Sequence, residues 1–181
     1  LDSLSAIPLL KLSCDWRGDP LTVEVGFQLF FDNRRLIFVF SCEGAPSYFQ
    51  AQGPGVFAQG LWKMDVAELF IVEPETHRYQ EFNLSPGGAW WSAVFSEYRK
   101  LESEVQVLEV QTLSRIEEAR WFAAIEIPLS ALKILFSPLR SRANVAAIIF
   151  GESRRHLSWS RLGGQQVDFH RTWDFARLDL V

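Results

Sequence analysis

Within residues 61–74 (LWKMDVAELFIVEP) a tryptophan and two acids recur at intervals of three, as Trp62, Asp65 and Glu68. Glu68 falls in an apolar, β-prone run where Val66, Glu68 and Phe70 alternate with Ala67, Leu69 and Ile71, so a charge there needs a reason. An indole beside a carboxylate is a pairing suited to sugars. The ring packs on the C–H face of a pyranose, and the carboxylate accepts charge-assisted hydrogen bonds from vicinal hydroxyls. The same residues also read as a core tryptophan at the start of a strand with an acid at the sheet rim.

Other chemistry is thinner. Glu73, Glu75, Glu81, Glu102, Glu104, Glu117, Glu118 and Glu126 could supply an acid and base for glycoside hydrolysis. Most lie at turns or on alternating strand positions, where solvated charge is the expectation. His77, His156 and His170 show no metal-ligand spacing. Ser158 and Ser160 lack the Gly-x-Ser-x-Gly elbow of a nucleophile, and Gly163-Gly164 lacks the pattern of a phosphate loop. Arg154, Arg155, Arg161 and Arg171 could meet an acidic sugar, but pairing with the chain's own acids is the expectation. No enzymatic activity, metal or cofactor is expected from these patterns.

Composition narrows the class. A net charge of −4 supplies no excess of Lys and Arg for a phosphate backbone, so nucleic acid is not an expected partner. No apolar run approaches the roughly 20 residues of a membrane span. If a leader once preceded Leu1, a secreted or periplasmic location is expected; otherwise the compartment is open. Cys14 and Cys42 could form a disulfide, but without metal-site spacing they read first as two buried thiols.

The elements that must position these residues are strands. Seven Trp and fifteen Phe suit sheets better than a helical bundle, and 181 residues fit one domain, 1–181. Val23, Val25, Phe27, Leu29 and Phe31 alternate; after a turn at residues 32–35, residues 36–41 (LIFVFS) read as a strand covered on both sides. A long loop rich in Gly, Pro, Gln and Ser spans residues 43–61, and loops of that length usually have a task. Strands continue at residues 65–72, 78–84, 90–95, 104–113, 119–127, 144–150, 157–160 and 175–180, and residues 128–136 (PLSALKILF) are the one short helical candidate. In Trp90-Trp91 one indole should face the core and the other the surface. The whole reads as an all-β, antiparallel two-sheet β-sandwich of about nine to eleven strands with one short helix.

In order and spacing, several motifs resemble those of the family 9 carbohydrate-binding modules and their DOMON-like relatives. They are Trp62-x-x-Asp65-x-x-Glu68-Leu69-Phe70, Tyr79-x-Glu81-Phe82 with Ser85-Pro86-x-Gly88, Ala124-x-Glu126-Ile127-Pro128-Leu129, Leu157-Ser158-Trp159-Ser160, and Asp168-Phe169-His170-Arg171 before Phe175-x-x-Leu178-x-Leu180. The resemblance implies a sandwich that binds a mono- or oligosaccharide without cutting it, clamping the terminal sugar between two aromatic rings. It assigns Trp62 and Phe169 as the rings, and Glu68, Asn83 and Gln166 as hydrogen-bonding groups. Phe169 stands where sugar binders carry a tryptophan, Gln166 where they carry an asparagine, and Asn83 where they carry an arginine. Weaker stacking and no charged fork on a diol are the expected consequences. Two alternatives stay open: a sandwich whose degenerate pocket serves a partner protein or domain, and a DOMON haem site using Met64 with His77, His156 or His170.

Overall fold

The alternation of large apolar residues along the first half of the chain does form paired strands. The structure, a computed structural model, describes residues 9–151 and 153–177. In chain order the strands are β1 (Leu10–Cys14), β2 (Pro20–Phe31), β3 (Arg35–Glu43), β4 (Val66–Val72), β5 (Tyr79–Leu84) and β6 (Trp90–Glu97). They continue as β7 (Lys100–Glu104), β8 (Gln111–Glu117), β9 (Arg120–Pro128), β10 (Arg142–Phe150), β11 (Arg154–Ser158) and the two-residue β12 (Ala176–Arg177). Two antiparallel sheets result, a five-stranded one ordered β1-β2-β3-β9-β8 and a seven-stranded one ordered β11-β10-β4-β5-β6-β7, with β12 on β10.

The period-2 geometry of strands sends alternate side chains to opposite faces, and the seven-stranded sheet buries both. Ala67, Leu69 and Ile71 of β4 and Phe82 and Leu84 of β5 join Phe27, Phe38, Phe40 and Trp121 of the opposing sheet in the core. Val66, Phe70, Val72, Tyr79, Trp91 and Phe95 point the other way, into a second cluster closed by Leu61, Phe169 and Phe175. All residues of β4 and β5 are therefore buried, polar ones included. The five-stranded sheet turns its outer face to solvent, so in β3 Leu36, Phe38 and Phe40 are buried whereas Ile37 and Val39 are half-exposed. Unbroken hydrophobicity in residues 36–41 thus does not mean two-sided cover.

Other departures have equally local causes. Residues 104–113 are not one strand: the chain crosses there from β7 in one sheet to β8 in the other, with Val105 and Val110 tucked into the core at the crossing. The expected helix over 128–136 shrinks to a single 3-10 turn at Leu129–Ala131. Its backbone amides find partners elsewhere, Lys133 N–H on Gln80 Oε1 at 2.8 Å and Leu135 N–H on Glu73 Oε1 at 3.0 Å. Both Trp90 and Trp91 are buried, because both faces of β6 are covered. Cys14 is exposed, Cys42 is buried, and neither is bridged. They sit on β1 and β3 with β2 between them, at least about 10 Å apart and too far for a disulfide. Of the closing strand over 175–180, only Ala176–Arg177 is in place, and residues 178–181 lie outside the described ones. Among the described residues no helix is long and apolar enough to cross a membrane.

Truncating Phe82, fully enclosed between the sheets, to alanine should cost about 3–5 kcal/mol in urea unfolding. Leu113→Ala, on the exposed outer face of β8, should cost under about 1 kcal/mol. Equal losses at the two sites would contradict this assignment of the core.

Candidate functional site

The outer layer of the seven-stranded sheet is incomplete at one place, leaving a cavity of about 390 Å³. Its floor comes from three neighbouring strands. Glu68 on β4 faces Asn83 on β5, which faces Trp91 on β6, and Glu81 lies two residues from Asn83 on the same face. Glu68, Glu81, Trp91 and Phe95 line the cavity, with Ile148 of β10 and His156 of β11 at its far side. Trp62, Arg99, Val167, Phe169 and His170 complete the wall.

Trp62 sits in a 3-10 turn, Leu61–Lys63, entered through Gly60 at φ 85°, a left-handed conformation that glycine adopts at little cost. Asp65 anchors the chain between this turn and β4. Its buried carboxylate accepts the Ser47 and Phe150 backbone N–H groups, which ties the long loop, the turn and β10 together. Burial pushes its pKa up, and those two backbone donors pull against that. The long loop is pinned again at the Ser85-Pro86-Gly87-Gly88 turn, where a Cβ on Gly87 would come within 2.7 Å of the Tyr48 ring. Within this frame the Trp62 ring packs edge-on to Trp91 at 5.4 Å between centroids.

Phe169 is held by its two neighbours in the chain. Asp168 accepts hydrogen bonds from Tyr98 Oη at 2.6 Å and Arg99 Nη2 at 2.8 Å. His170 Nδ1 lies 2.7 Å from the Tyr79 hydroxyl, whose oxygen accepts the Arg99 backbone N–H. That leaves the phenol proton for Nδ1, the arrangement of a neutral imidazole. Burial drives His170 down to about 4, with Arg99 adding to the effect, so neutral is its state near pH 7. Phe169 in turn meets Trp16 and His156 at centroid distances of 6.0 and 6.1 Å. The two wall rings, Trp62 and Phe169, thus lean on different neighbours and flank one space.

Charge on the floor is unusual. Glu68 and Glu81 are 4% and 5% exposed. At the roughly 7 Å that diagonal strand neighbours keep, two unit charges repel by on the order of 2 kcal/mol in a protein-like dielectric. Burial first, and the neighbouring Glu81 second, push Glu68 well above the usual carboxylate range despite Arg154 nearby. Burial likewise carries Glu81 to about 7, against the pull of Asn83 and Arg99. Among the described residues none donates a hydrogen bond to Glu68. Asn83, wholly buried between Glu68 and Trp91, has neither amide atom in a hydrogen bond of ordinary geometry. The Arg99 guanidinium is occupied by Asp168, and Arg154 spends its Nη2 on the Trp62 carbonyl at 3.0 Å.

Of the residues singled out from the sequence, Trp62, Glu68 and Phe169 come together around this cavity. Asn83 lies in the floor without reaching the lining, and Gln166 is exposed outside it. Sequence reasoning missed Glu81, Trp91, Arg99 and the two histidines as lining groups. Glu81 was legible in phase: it shares a strand face with Tyr79 and Asn83, opposite Gln80 and Phe82. Met64 turns its sulfur to Ser47 Oγ at 3.5 Å and is absent from the lining that holds His156 and His170, so the two ligands of a Met–His haem pair are not gathered there. Arg155 and Arg171 pair with Asp15 and Asp174. Among the described residues no three of His, Cys, Asp and Glu are grouped to hold a metal ion.

No protein-family model matches the chain, and none of the curated proteins matches it in sequence. Solved structures do match in fold. A protein of Bacteroides uniformis, assigned provisionally to carbohydrate binding, superposes at a TM-score of 0.74 with 18% identity, over 96% of this chain and 86% of that one. A family 9 carbohydrate-binding module of Caldicellulosiruptor kristjanssonii in complex with cellotriose gives 0.56 and 10% identity, over 90% and 78%. The same organism's family 9 module in complex with glucose gives 0.51 and 12%, over 86% and 76%. The chain therefore has a fold like that of the family 9 carbohydrate-binding modules.

Glu81 offers a test of the floor's electrostatics. Its carboxyl titrates near 7 in the folded protein and near 4.5 when unfolded, so its contribution to stability is present below pH about 4.5 and is lost as pH rises through about 7. Glu81→Gln should gain stability relative to the parent across that window, by up to about 3 kcal/mol. A difference between the two that stays flat from pH 4.5 to 7.5, tracked by denaturant unfolding, would contradict the burial of this charge.

Proposed function

We propose that this chain is a non-catalytic carbohydrate-binding domain that takes one ring of a mono- or oligosaccharide between Trp62 and Phe169. The observation that carries the reading is the cavity itself: two aromatic rings from residues over a hundred positions apart wall one space whose floor is a pair of buried carboxylates. Its volume, about 390 Å³, lies at the small end of the roughly 300–1,000 Å³ of ligand sites, enough for a sugar ring. The likeness to modules solved with glucose and cellotriose supports the same ligand class.

Binding fits the arrangement better than bond cleavage. Glycoside hydrolysis places an acid and a second carboxylate on either side of the scissile bond. Glu68 and Glu81 stand side by side on adjacent strands of one sheet face, so both would approach a bound ring from beneath. Docking of a protein partner calls for an open apolar patch, whereas Trp62 lines a concave space with two carboxyl groups at its base. With two stacking faces and few hydrogen bonds, a dissociation constant between micromolar and millimolar is expected.

Calorimetric titration with glucose, xylose, cellobiose and cellotriose should give heat with at least one sugar. Trp62→Ala should weaken that binding about tenfold or more, the effect of losing roughly 1.4 kcal/mol of stacking. Silence with every sugar, or unchanged affinity in the variant, would refute the proposal.

A further inference from the structure

A neutral sugar does not account for two acids at the base of the cavity. Two carboxylates more than nine-tenths buried line it together, and among the described residues Glu68 has no hydrogen-bond donor. The neighbouring cations answer that pair only in part. Arg99 is bound to Asp168, Arg154 acts on Glu68 through its charge while its Nη2 donates to the Trp62 carbonyl, and both histidines in the lining are held toward the neutral form by burial. The remaining charged groups on this face are also paired: Glu104 accepts the Trp91 indole N–H, and Asp168 accepts from Tyr98 as well as from Arg99. The space above the carboxylates is walled by Trp62, Trp91, Phe95 and Phe169. Ring faces with a carboxylate at the base are the surroundings that favour a cation carried on a compact, partly apolar body.

We propose that the cavity selects an aminated sugar, a pyranose whose protonated amine sits on Glu68 and Glu81 while its ring lies between the aromatic walls. This inference rests on the carbohydrate-binding reading of the same site and narrows its ligand class. An ammonium group brings three donors to acceptors that otherwise have almost none, and its charge relieves the repulsion between the two acids. The binding step then carries a proton balance. The ammonium enters charged, the protons that burial keeps on the two carboxyl groups pass to solvent, and two carboxylates face one cation.

The test compares glucosamine, glucose and N-acetylglucosamine by calorimetric titration at pH 6.5, where a primary amine of this kind is charged. Glucosamine should bind at least tenfold more tightly than glucose, and N-acetylation, which removes the charge, should abolish the gain. Repeating the glucosamine titration in two buffers of different ionisation enthalpy should show proton release, a readout on the unaltered protein. In Glu68→Gln and Glu81→Gln the ratio of glucosamine to glucose affinity should fall toward one. Glucose binding as well as glucosamine, a preference that survives both substitutions, or tight glucosamine binding without proton release would each overturn the inference and leave the carbohydrate-binding reading standing. No heat with any of the three would overturn the inference, and silence with xylose, cellobiose and cellotriose as well would overturn both.

Discussion

Two-sided burial of the seven-stranded sheet is the constraint on which everything else depends. One face needs the five-stranded sheet; the other, carrying Phe70, Tyr79, Trp91 and Phe95, needs cover that no third sheet among the described residues provides. The chain meets that demand with irregular segments, residues 57–62 from one side and 162–175 from the other. Segments without a ladder of their own must be fastened by side chains, and Asp65, Asp168 and Tyr79 do the fastening. Where the two covers fail to meet, the cavity opens, with one aromatic ring supplied by each.

The polar residues under that opening work against the stability of the fold. Replacing two buried acids that lack full partners, and an amide without a well-formed hydrogen bond, by apolar residues of similar size would ordinarily be neutral or stabilising. Glu68, Glu81 and Asn83 occupy interior positions of the sheet, so no turn or rim requires them there. Groups that cost stability and titrate far from their usual range are candidates for a functional site, and here they share one cavity with Trp62 and Phe169. Asp65 differs although it is equally buried. Its carboxylate is answered by two backbone donors, so it is a structural part of the site.

The fold was largely legible in the sequence because strand signals are local. Alternation in β2, β4 and β9 and the Gly-rich turn before β6 needed no tertiary knowledge. The features that escaped depended on partners distant in sequence. The run 128–136 has a helical composition, yet Gln80 and Glu73 from the sheet claim its amides. β1 carries only five residues, mostly exposed, and has meaning only as an edge paired to β2. Half of the site was readable for the same reason. Trp62 and Glu68 announce themselves by type and spacing, and Phe169 by its place before the closing strand, whereas Glu81 looks like any solvated strand acid until the cover over β5 is known. Gln166 fell away because the segment carrying it is anchored two residues later, at Asp168, which leaves the glutamine outside the wall.

The most direct measurement is a crystal structure of the protein soaked with the tightest-binding sugar found by titration. This account expects one pyranose ring between Trp62 and Phe169, with polar substituents directed at Glu68. A sugar bound elsewhere on the sandwich, or the two rings closed on each other over an empty floor, would contradict it.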